Sequence, residues 1–150
     1  MAAPATTTVK DLSGKWLMNK KYCGDTDGVL ALQGIGWLTR KGIGLASVTQ
    51  VTTSYPDALK PDVTHIDFDQ VVTGGIKGTT ELRTLDWQWR DHTDHLFGSL
   101  EGRSQFTKLA QLEEAVKQVE GKKERRHVRR VVVRKGKEVK RILLVFDWVV

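Results

Sequence analysis

The chain has 150 residues, of which 39% are hydrophobic and 28% charged, and its formal net charge is +6. That length suggests one domain, and that apolar fraction excludes a disordered chain. No apolar run approaches the ~18 residues that a membrane-spanning helix needs.

Residues 1–8 lack the charged and apolar regions of a secretory signal, and residues 1–10 read as one loose segment. They are expected to form a flexible tail ahead of one domain at 11–150. A first strand is predicted at 14–19. Asp25 or Thr26 can cap a short helix at 27–33. A second helix fits 36–43 and is expected to stop at Gly44, because a missing Cβ tolerates the left-handed cap. Residues 45–54, rich in Val and Thr, predict a strand, and Pro56 and Pro61 bracket a turn. Residues 63–73 alternate, with Ile66, Phe68, Gln70 and Val72 on one side and His65, Asp67 and Asp69 on the other. Gly74-Gly75 supplies a hairpin turn of positive φ. Residues 76–90 form one long strand or two joined by a bend. Asp91 to Asp94 are expected to turn, and 95–104 to form a further strand. Leu109, Leu112, Val116 and Val119 have helical spacing, with Gly121 as a stop, and a strand at 115–120 competes. Residues 125–134 and 138–148 are two strands joined around Lys135-Gly136-Lys137.

Short antiparallel strands with early helices predict an all-β fold, a closed up-and-down barrel of about eight to ten strands whose mouth the two helices cover. Closure removes exposed strand edges, and a wide enough barrel encloses a ligand cavity.

Specific residues strengthen this expectation. Gly14-Lys15-Trp16 opens the first strand, and Gly34-Ile35-Gly36 followed by Thr39-Arg40-Lys41 joins the helices. Thr64 to Gln70 and Ile76 to Glu81 then supply middle strands. Over residues 11 to about 104 this pattern resembles the intracellular fatty-acid-binding proteins of the lipocalin (calycin) group, lipocalin-like proteins of fungi included. The resemblance implies a β-barrel that holds a hydrophobic small molecule: a fatty acid, a lipid or a polyketide-like compound. It also marks a departure. The family commonly carries Arg-x-Tyr on its last strand as a carboxylate clamp, where this chain has Leu144 and Phe146. The alternation Ile142, Leu144, Phe146, Trp148 makes that face apolar, so a bulkier or polycyclic ligand is as suitable as a fatty acid.

Charge divides the chain. Residues 1–100 carry 10 basic and 11 acidic side chains, and residues 101–150 carry 14 and 7. Eleven of the cations fall within 122–141. This block predicts weak contact with an anionic membrane surface, or a solvated strand face. Nucleic acid is not expected, since no aromatic platform is interleaved before Phe146. The single cysteine, Cys23, cannot form an intrachain disulfide, which points to a reducing, cytoplasmic setting. A bystander role suits it better than that of a nucleophile. His92 and His95 lie in an expected hairpin turn without a third ligand, so no metal is expected. No phosphate-binding loop appears, and no cofactor is expected. His65 is expected in solvent, and His127, set among arginines, is a minor catalytic candidate.

The strand 79–90 holds the main polar candidates. Without a bulge, period-two alternation puts Glu81, Arg83 and Leu85 on the face of Trp87 and Trp89. A bulge after Arg83 would instead turn Thr80 and Leu82 inward. In the first register, Trp37, Phe68, Gln70, Trp87, Trp89, Leu144 and Phe146 wall the cavity. Arg83 then fixes a ligand oxygen, and Glu81 pairs with it or accepts a proton. A carrier for a hydrophobic molecule is the leading function. A cyclase or isomerase using the same cavity is the alternative, and an adaptor acting through the basic block is a third.

Overall fold

The computed structural model describes residues 2–107 and 125–150. The predicted helix or strand at 109–120, and residues 122–124 of the basic block, lie outside them.

β1 (Gly14–Met18) opens at a glycine with φ +138°, where a Cβ would stand 2.3 Å from the Trp148 ring. Only glycine fits that approach. α1 (Thr26–Leu32) is capped by Asp25, whose carboxylate accepts the Gly28 N–H at 3.1 Å. α2 (Trp37–Leu45) runs through the expected stop at Gly44 and ends on extended Ala46, whose N–H bonds to Gly42. No residue of α2 is buried.

β2 (Val48–Pro56) and β3 (Thr64–Val72) follow as an antiparallel pair. Gly74 and Gly75, both at positive φ, turn the chain into β4 (Ile76–Thr84). The strand then breaks. β5 (Arg90–Asp94) and β6 (Gly98–Gly102) form a separate hairpin. The turn between them lies at 95–97, not at 91–94 as the sequence suggested. Asp94 makes it by accepting the N–H groups of Leu96 and Phe97 at 2.8 and 2.7 Å. β7 (His127–Lys135) and β8 (Glu138–Val149) complete the described strands.

Among the described residues, six strands form one antiparallel sheet in the order β4-β3-β2-β1-β8-β7. The sheet is curled and open. The closed barrel expected from the strand pattern is therefore corrected, because β4 and β7 end the ladder and share no backbone pairing. Side chains span the gap instead. Glu81 on β4 accepts a hydrogen bond from Arg129 on β7 at 2.8 Å.

The register defines the concave face. Trp16 stands opposite Gln50 and Trp148, Phe68 opposite Thr52 and Glu81, and Ile66 opposite Arg83. His127 stands opposite Phe146, and Arg129 opposite Leu144. Leu12, Trp16, Ile66, Phe68 and Phe146 form the core of this face. The Trp16 Nε1–H donates to the Leu12 carbonyl at 2.8 Å, so the fully buried indole leaves no polar atom unmet. The N-terminal segment read as a tail also makes contacts. The Ala3 N–H donates to the Arg125 carbonyl at 3.0 Å, and the Arg125 guanidinium donates to the carbonyls of Pro4, Ala5 and Thr7.

Candidate active site

Three concave-face strands bring polar groups together above Phe68. On β4, Thr79, Glu81 and Arg83 alternate inward while Leu82 is exposed. The register follows the unbroken alternation, and the shift that does occur in the β3–β4 pairing lies earlier, between Asp69 and Val71. Glu81 is the hub. It accepts from Arg83 Nη2 at 2.9 Å, from Arg129 Nη2 at 2.8 Å and from Gln70 Nε2 at 2.7 Å. The Arg129 guanidinium also lies 4.3 Å from the Phe68 ring centroid.

Burial pushes the Glu81 carboxyl up, but the charges and hydrogen bonds of Arg129 and Arg83 outweigh it and hold the group at about 2. A carboxylate held that low is a weak base at neutral pH. Its chemical capacity here is to orient two guanidiniums. With one carboxylate against two guanidiniums, the cluster keeps an excess positive charge that can receive an oxygen carrying negative charge.

The sequence-derived candidates separate into two groups. Phe68, Gln70, Glu81, Arg83, Leu144 and Phe146 share the concave face. Trp37, Trp87 and Trp89 do not wall it, being 64, 45 and 60% exposed. For Trp37 the reason is that α2 buries no side chain. For the other two it is the strand break after Thr84. Trp87 takes φ +61°, and Asp86 holds the bend by pairing with Arg90 at 2.6 Å and accepting the Gln88 N–H. Trp87 and Trp89 instead sandwich Arg103, whose guanidinium carbon lies 4.0 and 4.5 Å from their centroids.

One further sequence expectation changes and another is extended. His65, expected in solvent, is half-buried between Asp57 at 2.8 Å and Thr84 at 3.0 Å, and it stacks on Tyr55. His127, whose neighbouring arginines were expected to act on it, is in addition buried against Trp16, Phe68 and Phe146. Burial first, and the Arg129 charge second, hold its imidazole at about 3. Arg129 itself was not singled out from the sequence. Counting back from the turn around Gly136 would have found it, because Arg129 faces Leu144 across the hairpin.

α1 and α2 frame an open groove of about 310 Å³ between Leu30, Arg40 and Leu45, apart from the polar cluster. No helix among the described residues is long and apolar enough to cross a membrane.

No protein-family model matches the chain. Over 180 aligned positions it is 29% identical to a probable pericyclase, scpY of Mollisia scopiformis, covering 99% of this chain and 95% of the relative. It is 28% identical to the pericyclase pydY of an Acremonium species, covering 99% of this chain and 97% of that one. Among solved structures it is similar to a mutant REP1-NXSQ fatty acid transporter. The TM-score is 0.53 and the identity 18%, with 92% of this chain and 98% of that chain covered. At that identity the likeness is one of fold alone, a curled, mainly antiparallel sheet with two short helices.

Proposed function

We propose that the chain is a pericyclase-type enzyme that folds an extended, largely apolar substrate against the concave face of its sheet and accelerates ring closure. The observation that carries this reading is the likeness to two pericyclases along nearly the whole chain. The polar cluster supports it. A pericyclic closure rearranges bonds within one cyclic array of the substrate's own electrons. It needs no external base, which suits a site whose carboxylate is held at about 2. The main barrier is the alignment of two ends of a flexible chain, and holding them in a reactive geometry lowers it by several kcal/mol. Leu85, Leu144 and Trp148, partly buried around the core of Trp16, Phe68 and Phe146, supply the accessible apolar surface. Arg83 and Arg129, oriented by Glu81, polarise a carbonyl conjugated to the reacting alkene and stabilise charge that grows there in the transition state.

The test is a panel of linear polyenones, each with a conjugated diene and an electron-poor alkene on one chain. The expected result is a product of unchanged mass, formed as one stereoisomer and faster than in buffer. If the probes bind but every one cyclises at the buffer rate, the enzyme reading fails and a carrier remains.

A further inference from the structure

Three buried side-chain atoms, Gln50 Oε1, Thr52 Oγ1 and His127 Nδ1, have no hydrogen-bond partner among the described residues. Their residues are 1, 2 and 6% exposed. Folded interiors rarely leave such groups unpaired, and here three occur on one face. Gln50 stands beside Trp16, and Thr52 stands beside Phe68. Both of those rings touch His127, with centroids at 5.4 and 5.9 Å. The three residues therefore border one cluster of aromatic rings. Phe68 also carries the Arg129 guanidinium, so the aromatic cluster adjoins the charged one across a single ring.

We propose that Gln50, Thr52 and His127 form a second polar subsite, which takes a neutral hydroxyl of the substrate while Arg83 and Arg129 hold its carbonyl oxygen. The assignment rests on the concave face being the substrate site. The trio carries no formal charge, since the buried imidazole stays neutral. An ion buried there would lack compensation. A hydroxyl both donates and accepts. Its single O–H donates to the Gln50 amide oxygen, and its two lone pairs accept from the Thr52 hydroxyl and from His127 in the tautomer that carries its proton on Nδ1. A water molecule shares that chemistry, so the experiment must separate the two.

Displacement of anilinonaphthalene sulfonate from the intact protein by dodecanol and by dodecyl methyl ether does so. The ether cannot donate a hydrogen bond. Dodecanol is expected to displace the dye at a concentration at least about tenfold lower than the ether, as for a buried hydrogen bond. That preference is expected to fall within about twofold in T52V and H127F, the first of which nearly conserves shape. Equal displacement by the two ligands in the unsubstituted protein means that water fills the space and overturns the subsite, leaving the concave-face site standing. A preference that survives both substitutions overturns the assignment to these residues. Failure of both ligands to displace the dye overturns the subsite together with the concave-face reading.

Discussion

Replacing Glu81 with glutamine keeps the shape of the side chain and removes the charge that holds two guanidiniums together. In the folded chain the carboxyl titrates at about 2, against an ordinary 4.5. At roughly 1.4 kcal/mol per unit, that difference makes the ionised form worth about 3 kcal/mol of stability at neutral pH. The same order follows from breaking a buried ion pair and leaving its partners uncompensated, roughly 3–5 kcal/mol. Urea unfolding at pH 7 should therefore give a midpoint lower by about 1.5–2.5 M for E81Q, with a slope of about 2 kcal/mol per M. The pH dependence has a definite sign. Because the folded pKa is depressed, the contribution is complete above 4.5 and disappears as pH falls toward 2. The deficit of E81Q relative to the unsubstituted chain should shrink over that window. A deficit below about 0.5 kcal/mol at pH 7, the size of an exposed pair, would refute the claim that Glu81 ties the two ends of the sheet.

Three other outcomes are expected. His127 is held near 3 against an ordinary 6.5, so the unfolded chain binds its proton first and stability falls as pH drops from 6.5 toward 3. H127F should remove that acid limb, and denaturation curves collected between pH 7 and 4 check it. Trp16→Ala should cost roughly 3–5 kcal/mol, measured by urea unfolding, since the indole is fully buried and hydrogen-bonded to Leu12. Arg129→Met should weaken binding of a carbonyl-bearing polyene about tenfold or more and leave a plain hydrocarbon within about twofold, as a charged hydrogen bond predicts. Paired titrations by tryptophan fluorescence read that difference.

Much of the fold was legible because period-two alternation survives in strands with one buried face. Ile66, Phe68 and Gln70 follow it in the pairing of β3 with β2, and Glu81 and Arg83 in the pairing of β4 with β3. The helices were legible through Asp25 and the glycines around Ile35. The break after Thr84 was not. It depends on a positive φ at Trp87, a residue type that rarely adopts one, and on an Asp86–Arg90 pair that forms only once the chain has bent. Uninterrupted alternation through Trp89 therefore carried both tryptophans inward on paper. Arg129 was obscured by its neighbours, since a run of cations reads as a solvated face. Only the hairpin register reveals which one of them meets an apolar strand. Closure was illegible for a different reason. Alternation fixes which way side chains point, but not whether the first and last strands of a sheet come within backbone reach.

The seam between β4 and β7 gives the molecule an unusual kind of evolvability. In a fully laddered barrel, the bore is fixed by strand number and stagger, and resizing it means rebuilding the backbone. Here the ends of the ladder are held at a distance set by the lengths of a glutamate and an arginine. A shorter or longer side chain at either position would reset the bore while every strand pairing stays as it is. The spacing of the two ends can therefore drift by single substitutions, at a cost in stability wherever the ion pair is lost.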